Sequence, residues 1–148
     1  MKKILITLGD PAGIGPDLGV MLAEKNLDKT TIIVADPDLL VNSSKVLKKR
    51  IKINILENIL SKTKSGKGII NILPVKLNVK NKPGIYNSNN AEYVIKTIKL
   101  AAELCKAKIA NAMVTGPISK SILCKGGFKI SGHTEYLAEL CNCKSVMM

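Results

Sequence analysis

Short apolar runs alternate with helical patterns along this chain, and this alternation limits the possible folds more than any other feature of the sequence. The runs carry no regular polar alternation, which is typical of strands buried on both faces of a parallel sheet. Strands are predicted at residues 4–8, 30–35, 51–56, 69–73 and 109–114. Helices are predicted at residues 16–26, from residue 36 to 47, and at 90–107, 118–124 and 134–141. The pattern predicts an α/β fold with a mostly parallel sheet and flanking helices.

The carboxyl-terminal residues bear on the domain organisation. The length of 148 residues and an apolar content of 46% suit one domain with a buried core. Residues 145–148 begin one more predicted strand, whereas a domain usually finishes in a polar or frayed tail. We therefore expect residues 1–148 to form a single incomplete α/β unit, the front part of a longer protein.

The formal net charge of +12 invites a nucleic-acid interpretation. Only Arg50 among the 23 basic residues is an arginine, and the lysines are spread over most of the chain. Base readout favours arginine, and no aromatic stacking platform is interleaved with the lysines. We predict solvated lysines and no nucleic-acid partner, with attraction for small anionic substrates as the alternative. A steep salt dependence of RNA affinity would support the rival RNA-binding interpretation.

The cysteines and the amino terminus indicate a cytoplasmic protein. Cys141 and Cys143 are spaced too tightly for the usual zinc hook, and no second pair answers them, so free thiols are predicted. The first residues resemble the start of a signal peptide, but residues 9–11 stop the apolar run too early. No stretch of 18 apolar residues is present, so no transmembrane helix is expected.

The first candidate ligand loop follows the first strand and opens a helix, where α/β proteins place such loops. Asp10, Gly13 and Gly15 are its candidate residues, because free amides at a helix start can hold an anion. The spacing matches neither the Walker pattern nor Gly-x-Gly-x-x-Gly, and Pro16 removes one donor. From these residues alone, a structural tight turn and a phosphate cradle remain equally open.

A second candidate loop follows the strand at residues 109–114. Thr115 stands at the carboxyl end of that strand, facing the crevice that such sheets use for ligands. Lys120 lies in the first turn of the next predicted helix, which is mildly unfavourable unless the lysine faces an anion. The alternative is a capping turn with a solvated lysine.

The third candidate site contains the only histidine of the chain, His133, between Gly132 and Thr134. The glycine lets a ligand approach the backbone, and the imidazole and hydroxyl offer hydrogen-bonding groups. The alternative is that Thr134 only caps the following helix while His133 is exposed. A metal site needs three or four ligands, and one histidine with scattered acids does not supply them, so no metal ligand is predicted in this chain.

Four segments together carry a resemblance to a known family. "ITLGDPAGIGPDL", "TGPISK", "GHTEYLAEL" and the final "VMM" occur in the order, and at about the separations, of the 4-hydroxythreonine-4-phosphate dehydrogenase family. The chain resembles that family from residue 6 to residue 148. The resemblance implies a fold like that of the isocitrate and isopropylmalate dehydrogenases, of which this chain is the amino-terminal part. It also implies a homodimer with the active site near its interface.

The resemblance further implies a reaction. A secondary alcohol of 4-phosphohydroxy-L-threonine would be oxidised by NAD or NADP with loss of carbon dioxide, assisted by a divalent metal such as zinc, magnesium or cobalt. His133 and Thr134 match the pair that contacts the phosphorylated substrate. The family's metal-binding histidines, and most of its phosphate and cofactor contacts, lie beyond residue 148, so we expect this chain alone to be inactive. The alternatives are a non-catalytic remnant or interaction module of the same fold, or a dehydrogenase of another phosphorylated four-carbon acid.

Overall fold

A parallel five-stranded sheet forms the centre of the molecule in a computed structural model that describes residues 2–25, 27–129 and 132–144. Its strands are β1 (Ile4–Thr7), β2 (Thr31–Ala35), β3 (Lys52–Ile55), β4 (Ile69–Pro74) and β5 (Ala112–Thr115). The strand order is β3-β4-β2-β1-β5, and every pairing is parallel. The predicted α/β class is therefore confirmed.

Helices cover both faces of the sheet. They are α1 (Gly15–Ala23), α2 (Pro37–Val46), α3 (Ala91–Lys106), α4 (Lys120–Lys125) and α5 (His133–Cys141), with a short 3-10 turn at Ser88–Asn90. Helices α1 and α2 pack on one face, where Val20 and Leu40 join the core with Ile33. On the other face α3 packs over β1 and β2, and α4 and α5 pack beside it. The layers are those expected of an α/β unit.

The long helix α3 is amphipathic, as the spacing of its apolar residues predicts. Its predicted apolar stripe is buried at Val94, Ile98, Ala101 and Ala102, while Cys105 is half-buried at the end of the stripe. Exposed Lys96 pairs with Glu92 one turn earlier at 2.8 Å. Such an exposed pair adds only about 0.3–0.5 kcal/mol, so packing of the stripe against the sheet supplies most of the stability of this helix.

Several boundaries differ from the prediction. Strand β5 begins at Ala112 because the amides of Ile109 and Ala110 both donate to the Leu104 carbonyl, each at 3.0 Å, and turn the chain after α3. Helix α4 begins only at Lys120, since the preceding residues stay extended against β1. The other starts and ends lie within three residues of the prediction, and four of them coincide with it. The strand predicted from residue 145 lies outside the described residues.

The strand order places a topological switch point at β1 and β5. The chain leaves β1 through α1 to reach β2 on one side, whereas α3 carries it from β4 across to β5 on the other. Adjacent parallel strands whose connections run in opposite directions mark the place where open α/β sheets bind ligands. The loops after β1 and β5, both singled out from the sequence, therefore share one edge of the sheet.

Candidate functional site

The loops after β1 and β5 are joined backbone to backbone. The Asp10 amide donates to the Pro117 carbonyl at 2.9 Å, and the Gly116 amide donates to the Thr7 carbonyl at 2.7 Å. Gly9 has a φ of +74°, and a Cβ at this position would lie 2.0 Å from the Pro117 oxygen. Only glycine fits there, because that φ and that approach both exclude a side chain. The two loops therefore form one rigid floor at the carboxyl edge of the sheet.

The loop after β1 is folded on itself. The Asp10 carboxylate accepts from the Ala12 amide at 3.0 Å, and the Gly13 amide donates to the Asp10 carbonyl at 3.0 Å. A Cβ on Gly15 would lie 1.7 Å from the Leu8 oxygen. The amides of residues 10, 12 and 13 are thus already partnered, which favours the tight-turn interpretation for those groups. A ligand role for Asp10, Gly13 and Gly15 stays a prediction.

Asp10 is a buried carboxylate in this floor. Burial raises its pKa, since the charged form loses solvation, and the hydrogen bond from Ala12 only partly opposes that effect. A buried carboxylate costs stability unless it is paired or fully hydrogen-bonded, and among the described residues Asp10 has only the bond from Ala12 to oppose that cost. This is the property that makes Asp10 a candidate for contact with a ligand.

The second and third candidate sites adjoin each other. A Cβ on Gly132 would lie 3.4 Å from Lys120 Nζ and 2.9 Å from a carboxylate oxygen of Glu135. Gly132 directly precedes the first residue of α5. The exposed lysine at the start of α4 is therefore beside the start of α5, where His133 and Thr134 lie. Thr115 is the last residue of β5, and residues 116–119 connect it to Lys120 at the start of α4.

His133 has a buried nitrogen without a partner. Its ring is half-buried, and among the described residues no group hydrogen-bonds to Nε2. Burial lowers the pKa of the imidazole, so the neutral form is favoured. An unpaired buried polar atom costs about 1–3 kcal/mol and calls for an explanation. A hydrogen-bonding group of a ligand would satisfy it.

Thr134 does not cap α5. The helix begins at His133, so Thr134 is its second residue, and no described side chain caps the helix start. The hydroxyl belongs to an exposed residue instead. The capping interpretation of Thr134 is therefore wrong, and its contact with a ligand stays a prediction.

Sequence reasoning missed two buried polar groups at this edge of the sheet. Thr7 is fully buried in register with Thr115, and its hydroxyl has no partner among the described residues. Asp36 receives the Leu77 amide at 2.9 Å, and its own amide donates to the Tyr93 hydroxyl at 3.3 Å. Burial raises the pKa of Tyr93. A single polar residue inside the apolar run at residues 4–8, close to the glycine loop, is the one signal that could have indicated Thr7.

The described residues do not fit a complete metal centre. Within residues 2–25, 27–129 and 132–144, no three His, Cys, Asp or Glu side chains come together as a ligand group. All four cysteines are free thiols. No reaction step is therefore assigned to a metal ligand of this chain.

In the same ranges no helix is long and apolar enough to cross a membrane.

The single histidine allows a clean test by pH. Because burial lowers the His133 pKa below 6.5, the unfolded chain binds the proton more readily than the folded chain. The contribution of His133 to the free energy of unfolding should be largest above pH 6.5 and should fall as the pH drops through 6.5 and then through the lowered pKa. Urea unfolding of the wild type and of His133→Gln between pH 5 and 8 measures this, with the dependence expected to flatten in the variant.

Three other titratable groups bear on that measurement. Asp10 acts with the opposite sign, since its raised pKa means that its contribution is lost as the pH rises through the folded value. Glu135 and Lys120, which approach Gly132, are present in both proteins and cancel in the comparison. Equal slopes for wild type and His133→Gln would show that the imidazole is not desolvated.

Known proteins resemble this chain throughout its length. Residues 27–148 match the family model described as pyridoxal phosphate biosynthetic protein PdxA. The chain is 40% identical over 148 residues to 4-hydroxythreonine-4-phosphate dehydrogenase of Wigglesworthia glossinidia brevipalpis, covering 100% of this chain and 45% of that protein. It is 39% identical over 145 residues to the enzyme of the same name from Saccharophagus degradans, covering 98% of this chain and 43% of that one.

The fold is similar to solved structures as well. The crystal structure of a 4-hydroxythreonine-4-phosphate dehydrogenase from Burkholderia phymatum superposes with a TM-score of 0.85 at 26% identity. The match covers 97% of this chain and 44% of that structure. The chain thus spans less than half the length of the curated relatives and solved structures that it matches, in keeping with an amino-terminal portion.

Proposed function

The chain belongs to the family of the pyridoxal phosphate biosynthetic protein PdxA, and from this premise we propose that it supplies the amino-terminal part of a 4-hydroxythreonine-4-phosphate dehydrogenase. The completed protein oxidises the secondary alcohol of 4-phosphohydroxy-L-threonine with NAD or NADP as hydride acceptor. The resulting keto acid then loses carbon dioxide. The completed protein acts as a homodimer, and this chain alone is inactive.

In this proposal His133 and Thr134 bind the substrate. The observation that carries it is the buried Nε2 of His133, which has no hydrogen-bond partner among the described residues and lies beside the exposed Thr134 at the start of α5. A neutral imidazole offers one donor and one acceptor, and a hydroxyl can do either. Both suit the hydroxyl, carboxylate and phosphate oxygens of such a substrate. The lowered pKa of His133 keeps the ring neutral and so keeps both options open.

Lys120 adds the charge that the substrate requires. Its ammonium lies beside Gly132, the residue that precedes His133. A phosphorylated, carboxylated ligand carries several negative charges, and a cation within a few ångströms attracts it even in high dielectric. Thr115 at the end of β5, and Asp10, Gly13 and Gly15 in the loop after β1, are proposed as further ligand-facing positions. The metal and dinucleotide ligands are proposed to come from the remainder of the family polypeptide.

A fusion enzyme tests the assignment of the pair. It joins this chain to the part of the Wigglesworthia relative that follows the matched segment. His133→Ala and Thr134→Ala should each lower kcat/KM for phosphohydroxythreonine about ten- to a hundredfold, because each removes a hydrogen bond to a charged ligand worth about 1.5–3 kcal/mol. Bound metal should stay unchanged, as measured by elemental analysis. Steady-state kinetics and thermal unfolding complete the comparison.

Matched variants separate binding from folding. Thr63→Ala removes a hydroxyl in a loop remote in sequence from the site and should leave the kinetics unchanged. His133→Gln keeps a hydrogen-bonding group and should recover part of the loss. The assignment is wrong if His133→Ala strips the metal or leaves kcat/KM as it was.

A further inference from the structure

The segment between β4 and α3 crosses the loop that follows β1. The side-chain amide of Asn81 donates to the Pro11 carbonyl at 2.8 Å, and the backbone amide of Gly84 donates to the Ala12 carbonyl at 2.9 Å. These two bonds hold residues 81–86, which we call the crossing loop, against the first candidate ligand loop. The crossing loop is therefore part of the surroundings of that site, although it lies far away in the sequence.

A tight turn fixes the shape of the crossing loop. The Ile85 amide donates to the Lys82 carbonyl at 3.0 Å, with Pro83 and Gly84 at the centre of the turn. Proline suits the first central position of such a turn, and the second requires a positive φ, which Gly84 has at +76°. The turn therefore fixes the direction in which the chain continues to Tyr86.

Tyr86 reaches the ligand loop from this turn. Its hydroxyl lies 3.8 Å from the position that a Cβ of Gly13 would take, and the Cβ of Asp10 lies 3.8 Å from the same position. Tyr86 is 49% exposed, so a ligand can reach it. Asp10 and Tyr86 thus lie on either side of Gly13.

The backbone does not require a glycine at position 13. Gly13 is not among the residues with a positive φ, in contrast to Gly9. A Cβ at Gly13 would meet its nearest atom, the Asp10 carbonyl oxygen, at 3.3 Å, and a small adjustment relieves such a contact. What the missing side chain provides is an open space between the Asp10 side chain and the Tyr86 hydroxyl.

The chemistry of this pair suits a ligand hydroxyl group. Among the described residues the Asp10 carboxylate receives one hydrogen bond, from the Ala12 amide, so it can accept more. The phenol of Tyr86 can both donate and accept. A ligand hydroxyl can donate to the carboxylate and accept from the phenol, whereas the charge of the carboxylate repels a phosphate.

We propose that Tyr86 and Asp10 together bind a hydroxyl-bearing segment of the ligand in the space that Gly13 leaves open. Asn81 is the positioning residue that holds the crossing loop in place. The inference rests on the proposed function, because that function supplies two ligands with such hydroxyl groups. One source is the ribose of NAD or NADP, and the other is the secondary alcohol of 4-phosphohydroxy-L-threonine.

A binding titration of the 148-residue chain tests the site without turnover. NAD and 4-phosphohydroxy-L-threonine are titrated separately into the isotope-labelled chain, and the backbone amide signals of Gly13 and Tyr86 are followed by heteronuclear NMR. At least one of the two ligands should shift both signals, which assigns the source of the hydroxyl. Tyr86→Phe should raise the Kd of that ligand about three- to tenfold, because it removes one hydrogen bond and keeps the ring. Gly13→Ala should raise it at least as much, because the methyl group fills the space.

Stability and kinetics separate binding from a structural role. Tyr86→Phe should shift the thermal midpoint by less than about 2 °C, since it changes only a surface hydroxyl. In the fusion enzyme it should raise the KM of the same ligand and leave kcat unchanged. Thr63→Ala is the matched control, because Thr63 lines a cleft with Lys3 and Lys29 at the opposite edge of the sheet, and it should leave the Kd unchanged.

The two proposals fail in different ways. A Kd that depends on Tyr86 in the chain, together with a fusion enzyme that forms no product, would contradict the proposed function and support this site. The site is overturned if neither ligand shifts the Gly13 and Tyr86 signals, or if Tyr86→Phe leaves the Kd as it was. A loss of thermal stability that accounts for the weaker binding of Tyr86→Phe would overturn it as well.

Discussion

The purified 148-residue chain is expected to form no NADH or NADPH from 4-phosphohydroxy-L-threonine, with zinc, magnesium or cobalt added in turn. The expected loss is the entire turnover. A metal that holds developing negative charge supplies several kcal/mol of transition-state stabilisation, and the described residues gather no three ligands for one. The chain also spans only 45% of the length of its Wigglesworthia relative. Absorbance at the nicotinamide band measures the product directly.

The fusion enzyme supplies the positive control for that measurement. It should turn over under the same conditions, which shows that the substrate, metals and cofactor are competent. Turnover by the 148-residue chain alone would contradict the proposal that the missing polypeptide carries essential ligands. A fusion enzyme that folds and binds metal but forms no NADH or NADPH would instead count against the proposed reaction.

The second large effect is expected from Gly15→Ala. The added Cβ would lie 1.7 Å from the Leu8 carbonyl oxygen, and both partners are backbone, fixed by β1 and α1. Neither can yield as a flexible side chain would, so the loop and the helix start must move. Overpacking typically costs about 1–3 kcal/mol and occasionally more. We expect the upper end of that range, a large part of the roughly 5–15 kcal/mol that holds a domain together.

Gly13→Ala is the matched control in the same loop. A Cβ there would meet the Asp10 carbonyl oxygen at 3.3 Å, a contact that a small adjustment relieves. Urea denaturation of the 148-residue chain should therefore show a small change for Gly13→Ala and a large one for Gly15→Ala. If the two variants lose the same stability, close backbone approach is not what Gly15 provides.

The elements that follow from local pattern were predictable. Val94, Ile98, Ala101 and Ala102 form an apolar stripe that is readable from spacing, and all four are buried in α3. The strands also lie where short apolar runs occur, because a strand covered on both faces needs no polar alternation. The α/β class and the family resemblance were thus accessible from the sequence alone.

The close contacts between distant segments were not predictable. Nothing local to Gly9 or Pro117 shows that their backbones touch, because the contact arises from the pairing of β1 with β5. For the same reason α4 starts later than its pattern indicates, since the extended residues before it bond to β1. The unpaired groups of Thr7 and His133 depend on neighbours that only the fold defines.

The pairing of β1 with β5 determines when the sheet can close during synthesis. Strand β1 is separated from its neighbour β2 by a single helix, whereas its other neighbour, β5, lies more than a hundred residues later in the chain. Beside β5, for example, the Lys3 amide donates to the side-chain oxygen of Asn111 at 2.9 Å, a separation of 108 residues. During synthesis on the ribosome, one edge of β1 therefore stays unpaired until the residues of β5 have emerged. Such long-range closure slows folding and leaves an open edge in the nascent protein. Strand β1 is thus synthesised well before the partner that covers its second edge, so that edge is the one at which the emerging chain is most exposed to misassociation.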